Sequence, residues 1–216
     1  FTGEMTDIGP SGVNGGMYAG DYFGTGTDKQ LWGIAGSSTY LIREDGVALY
    51  YGDVTGLADD ALGMTWDQTS DVSYVSDGTN VLYTVDDNMA ATEVGEIVAP
   101  ATTTIMSIAA NSTGDLYGIG LDDNLYSIDK ATGAGTVVGT LGVGINYAQD
   151  IGFDRVNDIL YGTLYLGGGT GGLYTIDVAT GTATQIGTDF SDDLTVCAIE
   201  GNPQYDVTFA VTEDDG

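Results

Sequence analysis

The chain of 216 residues has no His, a single Cys and only 4 Lys and Arg together. Each shortage excludes chemistry. Without His there is no Ser-His-Asp triad, no Cys-His pair and no imidazole metal ligand. One Cys, Cys197, allows neither an intrachain disulfide nor a thiolate metal cluster. Its neighbours Val196 and Ala198 read it as a small buried hydrophobe. Basic residues are outnumbered by 26 Asp and 6 Glu, and the formal net charge is −28. Such a chain repels phosphate backbones and anionic headgroups, so no nucleic-acid partner is expected. No apolar run approaches the ~20 residues of a spanning helix, so no membrane insertion is expected. The chain opens at Phe1 with no signal-peptide pattern, which reads as a mature product or an excised domain.

What is present can fold. Hydrophobic residues make 42% of the chain, with 14 Tyr and 35 Gly. That is enough apolar surface for a core despite the charge. The length fits a single all-β domain. The charge keeps copies apart and suits surroundings rich in salt or divalent cations, in a halophilic cytoplasm or outside a cell.

The chain repeats itself. Leu82-Tyr-Thr-Val-Asp86, Leu125-Tyr-Ser-Ile-Asp129 and Leu173-Tyr-Thr-Ile-Asp177 align. A turn follows each, written Lys130-Ala-Thr-Gly133 and Val178-Ala-Thr-Gly181 in the last two. A Thr-rich strand then ends in Val94-Gly95, Val138-Gly139 or Ile186-Gly187, at offsets from Asp to Gly of 9, 10 and 10. A second element recurs as Tyr18-Ala-Gly-Asp21, Met64-Thr-Trp-Asp67, Ile108-Ala-Ala-Asn111, Ile151-Gly-Phe-Asp154 and Cys197-Ala-Ile-Glu200. Its starts lie 46, 44, 43 and 46 residues apart. A third sits between them, as in Gln30-Leu-Trp-Gly-Ile34 and Asp115-Leu-Tyr-Gly-Ile119.

Each unit therefore holds four short strand-like runs, a to d, rich in Tyr, Val, Ile and Thr and bounded by Gly, Asp and Asn. No segment shows a capped 3.6-residue stripe. This pattern predicts an all-β fold, a five-bladed β-propeller of four-stranded blades with the a strands innermost. A blade cannot bury both faces alone, so the Leu-Tyr pairs are expected to fill the layers between blades. Blades fall at about 15–52, 58–96, 104–141 and 145–188. Residues 1–9 match strand d and 194–200 match strand a, so the N-terminal strand is expected to close the ring and the propeller to span 1–200. Residues 201–216 read as a linker and, from Tyr205-Asp-Val-Thr-Phe-Ala-Val211, the first strand of a following Ig-like module; the alternative is a further strand of blade five.

The units Leu125–Gly139 and Leu173–Gly187 resemble the LYxID-x-ATG-x-x-T-x-IG propeller-like repeats of secreted bacterial multidomain cell-surface proteins. The similarity covers roughly 58–200 and weakens in 15–52, where Leu41-Ile-Arg43 replaces the Leu-Tyr-x-Ile-Asp run. The resemblance implies an extracellular, cell-surface location and a modular context. It implies no activity, because propellers host many functions.

Antiparallel meanders put the d–a and b–c loops on one face and the a–b and c–d loops on the other. The first face gathers Asp pairs: Asp59 and Asp60, Asp122 and Asp123, Asp192 and Asp193. Crowded carboxylates need a cation or raised pKa values, and Ca²⁺ takes 6–8 oxygen ligands, so these six are the candidate metal ligands; a solvated acidic surface is the competing reading. All four basic residues, Lys29, Arg43, Lys130 and Arg155, fall in turns of the opposite face. Asn111-Ser-Thr113 is a glycosylation sequon. The glycine run of Leu166–Gly172 joins two strands and lacks the Lys of a phosphate cradle, so it reads as a loop tip. Asp21, Asp67, Asp154 and Glu200 hold equivalent strand ends, and an acid pair there could serve a glycosidase without His. Their recurrence is equally explained by turn chemistry. The favoured expectation is a non-catalytic binding or scaffolding propeller that meets a glycan or protein at the cell surface. The alternatives are a glycosidase and a subunit of an extracellular filament that self-assembles through an unpaired blade edge.

Overall fold

Short runs of β-branched and aromatic residues, cut by Gly, Asp and Asn, fold as antiparallel meanders. The computed structural model describes residues 9–14, 16–24, 28–98, 102–147, 149–190, 198–202 and 205–210. Blade one comprises β1 (Ala19–Phe23), β2 (Gln30–Ala35), β3 (Ser38–Ile42) and β4 (Ala48–Asp53). Blade two comprises β5 (Ala61–Asp67), β6 (Val72–Asp77), β7 (Val81–Val85) and β8 (Ala91–Glu96). Blade three comprises β9 (Ile105–Ala110), β10 (Leu116–Gly120), β11 (Asn124–Ile128) and β12 (Gly135–Thr140). Blade four comprises β13 (Gln149–Asp154), β14 (Ile159–Gly167), β15 (Thr170–Ile176) and β16 (Ala183–Phe190). Each is a four-stranded antiparallel sheet in sequence order, and together they make a propeller-like all-β fold.

The first strand of each blade is innermost. β1 lies beside β5, β5 beside β9 and β9 beside β13. Every residue of β9 and β13 is buried, whereas β4 is mostly exposed. Four complete blades are present among the described residues, where the repeat count predicts five. After them come β17 (Ala198–Asn202) and β18 (Tyr205–Ala210), which pair with each other in a two-stranded sheet. β17 lies beside both β13 and β1, yet no strand pairing among the described residues closes the ring. Residues 1–8 of the expected closing strand lie outside the described residues. Just after them, the Ser11 carbonyl accepts a hydrogen bond from Ala48 N–H at the start of β4 (2.9 Å).

The core is layered between blades. Ala19, Ile34, Met64 and Val75 pack between blades one and two. Leu82, Ile105, Ile108 and Leu116 pack between two and three, and Ile119, Leu125, Ile151 and Leu160 between three and four. Ala198 of β17 joins Met17, Leu31 and Ile42 of blade one. The repeated Leu-Tyr pairs, Leu82-Tyr83, Leu125-Tyr126 and Leu173-Tyr174, are buried in these layers, each large side chain contributing about 1.5–3 kcal/mol.

The repeat motif also explains how neighbouring blades meet. The Asp ending each Leu-Tyr run shapes its turn by accepting backbone N–H groups: Ala90 on Asp86, Ala131 on Asp129 and Ala179 on Asp177. The turn of blade three then lies on the strand-d glycine of blade two, and the turn of blade four on that of blade three. A Cβ at Gly133 or Gly181 would stand 2.5 Å from the carbonyl oxygen of Gly95 or Gly139. Both turn glycines have positive φ, 78° and 81°, so only Gly meets the conformation and the contact together.

Candidate functional site

An inner strand of a propeller has a sheet partner on one side only. Its other edge carries unpaired N–H and C=O groups that must find partners. Here the preceding blade supplies them. Asp21 Oδ2 accepts from Trp66 N–H at 3.0 Å, Thr65 Oγ1 from Ala110 N–H at 3.0 Å, and Ser107 Oγ from Ile151 N–H at 3.0 Å. The donors lie 44 or 45 residues after the acceptors, one repeat on. The Thr65 and Ser107 hydroxyls in turn donate hydrogen bonds to the carboxylates of Asp21 (2.7 Å) and Asp150.

Arg155, directly after β13, serves the carbonyls at one end of the axis. Its Nη1 donates to Tyr22 O (3.1 Å), Nη2 to Trp66 O (2.9 Å) and Nε to Ala110 O (3.1 Å). Nη2 also pairs with the Asp21 carboxylate. One guanidinium therefore fastens β1, β5 and β9 to blade four. Its planar fork suits this use, and its side chain is 12% exposed.

Asp67 and Asp154, at two further strand ends, are engaged as well. Asp67 accepts from Lys130 Nζ (2.6 Å), Ser70 Oγ (2.7 Å) and Thr69 Oγ1 and N–H (2.7 and 2.8 Å). Burial alone would raise its pKa; these bonds outweigh it and hold the carboxyl well below the usual carboxylate range. Asp154 accepts from Val156 N–H (2.9 Å) and Asn157 Nδ2 (2.6 Å). Asp77, at the end of β6, accepts from Thr79, Val81, Tyr83 and the N–H groups of Ala58 and Asp59. At the end of the axis opposite Arg155, Gln149 is buried, and neither atom of its amide has a partner among the described residues.

The Asp pairs lie apart in this scheme. Asp59 accepts from Asp60 N–H (2.9 Å) in the β4–β5 loop. Asp122 accepts from Asn124 Nδ2 (2.9 Å) and Tyr126 Oη (2.6 Å), and burial together with this carboxylate pushes the Tyr126 hydroxyl well above the ordinary tyrosine range. Asp123 accepts from Ile145 N–H (2.7 Å). Among the described residues no three acidic or cysteine side chains gather as a metal site. Asp192, Asp193 and Cys197 lie outside the described residues. Asn111 of the sequon is half-buried and turns on itself: its Oδ1 accepts from Thr113 and Asp115 N–H, and its Nδ2 donates to Asp115. Gly167, Gly168 and Gly169 all have positive φ in the β14–β15 hairpin.

Three features lie beyond the sequence reading: Arg155 as the fastener of three inner strands, the hydroxyl caps of Thr65 and Ser107, and the meeting of both Trp residues with Phe23 and Tyr51. The one available signal was that Arg155 breaks the repeat pattern, following a strand end where the other blades have Tyr22, Gln68 and Ser112.

No family model matches the chain, and no curated protein matches it. Solved structures resemble it in fold. A structural-genomics protein of unknown function from Bacteroides thetaiotaomicron VPI-5482 is 15% identical with a TM-score of 0.56, over 78% of this chain and 42% of its own length. Kuenenia stuttgartiensis hydrazine synthase is 12% identical with a TM-score of 0.53, over 86% of this chain and 53% of its own. The chain thus spans about half of each, and at these identities the likeness is one of fold.

Proposed function

We propose that this chain is a non-catalytic binding or scaffolding propeller of an extracellular, cell-surface protein, with five blades around the axis and the N-terminal strand in the fifth. One observation carries the non-catalytic reading. Of the four acids that could serve a glycosidase, Asp21, Asp67 and Asp154 are buried; Asp21 and Asp67 are bonded across blades to Arg155 and Lys130, and Asp154 to its own turn, while the Glu200 side chain lies outside the described structure. Five-fold closure is supported by β17, which adjoins both β13 and β1, and by Ala198 packing on Met17. The test is a glycan and cell-surface protein array run beside a panel of aryl glycosides, with and without Ca²⁺. Retention of a ligand without turnover is expected. Hydrolysis lost in Asp67→Asn would overturn the reading. Removing residues 1–9 should lower the melting temperature if that strand belongs to blade five.

A filament subunit is the second reading, favoured by one feature. The β17–β18 sheet has two strands among the described residues, and its outer edge can take a strand from a neighbour. Ordered fibres in electron micrographs would support it; a monodisperse monomer by light scattering would end it.

A further inference from the structure

The two Trp residues belong to one aromatic run. Tyr51 of β4 stands edge-on to Trp32 of β2, with ring centroids 4.8 Å apart. Trp32 tilts against Phe23 at the end of β1 (6.1 Å), and Phe23 stacks beside Trp66 of β5 (6.3 Å). The run crosses blade one from its outer edge toward the axis, where the Arg155 guanidinium lies 6.0 Å from the Trp66 ring centroid. Its outer end is open to solvent: Tyr51 is 59% exposed and Tyr50 beside it 60%. Its inner end opens into a cavity of about 550 Å³ where blade one meets blade two. Phe23 and Trp66 form its apolar wall, and Asp71, Asp87, Ser73 and Thr92 bring oxygen atoms to it. Asp71 is held there by Trp66, whose Nε1 donates to its Oδ1 at 3.0 Å. No Lys or Arg lines the cavity among the described residues.

We infer that this aromatic run and its cavity bind a neutral oligosaccharide, a refinement that rests on the binding-module reading above. A pyranose ring has an apolar C–H face and a rim of hydroxyls. The first suits a row of aromatic rings, and the second donates to carboxylates and hydroxyls placed beside them. Beyond the cavity, where Trp66 and Trp32 pack into the layer between blades one and two, Tyr50 and Tyr51 are exposed and offer a contact to a second sugar. Charge selects among glycans. With no basic side chain lining the cavity among the described residues, Arg155 on Trp66 being paired with Asp21, and a net charge of −28, sulfated and uronic polymers are repelled.

The two Trp are the reporters, since both lie in the run. Tryptophan emission is followed while cellohexaose, chitohexaose, mannohexaose, heparin or an arginine-rich peptide is added at physiological salt. At least one neutral hexasaccharide should give a saturable change, and heparin none. Tyr51→Ala, at an exposed position, should weaken that binding about tenfold, and Phe23→Leu further, with melting temperature as the check on folding. Binding that survives both substitutions overturns this site while leaving the binding-module reading in place. Binding of the peptide alone, weakened by Asp87→Asn, overturns the sugar assignment and makes the cavity a cation site. If neither these saccharides nor the arrayed glycans and proteins are retained, the broader reading falls as well.

Discussion

The joint between blades one and two differs from the joint between blades three and four. Both contain the same inter-blade backbone bond: Ala91 N–H to Thr55 O (2.8 Å) in the first, Ala183 N–H to Leu141 O (2.9 Å) in the second. They reach it differently. Blades three and four meet as bare backbone, with Gly139 under the Thr180-Gly181 turn. At the first joint the turn holds Met89 instead, a non-glycine residue at φ 59°, and Gly52 has only the Met89 side chain near it. At the axis the first joint has Asp21 bonded to Thr65 and Trp66 N–H, while Arg155 serves both joints, reaching Asp21, Tyr22 and Trp66 in the first and Ala110 of blade three from blade four. Both joints thus dock through backbone at the outer turn, but the approach is closer in the second, where a Cβ at Gly139 would stand 2.0 Å from the Thr180 carbonyl oxygen, than in the first, where one at Gly56 would stand 3.0 Å from that of Ala91.

The largest test of this contrast is Arg155→Met. It leaves the Asp21 carboxylate buried without its ion partner and removes a donor from the carbonyls of Tyr22, Trp66 and Ala110, and should cost about 3–5 kcal/mol in denaturant unfolding. Adding Asp21→Asn should recover part of that loss, because the unpaired charge is gone. Additive losses in the double variant would show that charge does not fasten the first joint.

Next comes a pair of substitutions at the outer turns. Gly139→Ala drives a Cβ into the Thr180 carbonyl and should cost about 1–3 kcal/mol or more. Gly52→Ala places its Cβ 3.9 Å from Met89 Cγ, ordinary contact, and should stay within about 0.5 kcal/mol. Equal losses at the two positions would erase the distinction between the joints.

The joint between blades two and three adds a titrating bond, Lys130 to Asp67. Because the folded-state pKa of Asp67 is depressed, its contribution is present above the ordinary value of 3.8. It is lost as pH falls below that value toward the depressed one. The stability gap between the parent chain and Asp67→Asn should therefore be widest near pH 6 and narrow steadily below about pH 4. A gap independent of pH would mean that the charge of Asp67 contributes nothing.

The smallest effect concerns cations. NaCl should raise the melting temperature modestly by screening the net charge. Replacing Asp59, Asp60, Asp122 and Asp123 together by Asn should leave unchanged any difference between CaCl₂ and NaCl at matched ionic strength. A calcium-specific loss in that variant would make those acids ligands.

Much of this was legible in the chain because it is local and repeated. The Leu-Tyr-x-Ile-Asp runs, the turn acids and the small residues of the inner strands mark four-stranded units about one repeat apart, and each unit must bury its faces against the next. Close spacing also gives the turn chemistry of Asp86, Asp129 and Asp177, whose partners lie within four residues. The tertiary structure decided whatever depends on groups a full repeat or more apart. Thr65 and Ser107 look like ordinary strand residues until the edge of the following blade stands against them. Arg155 looks like a solvated turn residue, yet it reaches Asp21 across 134 positions of chain. Phe23, Trp32, Tyr51 and Trp66 form one run only because β1, β2, β4 and β5 are stacked that way. Side-chain pattern sets which strands form, whereas unpaired backbone at the axis and the contact of one blade with the next select which side chains become fasteners and which stay at the surface.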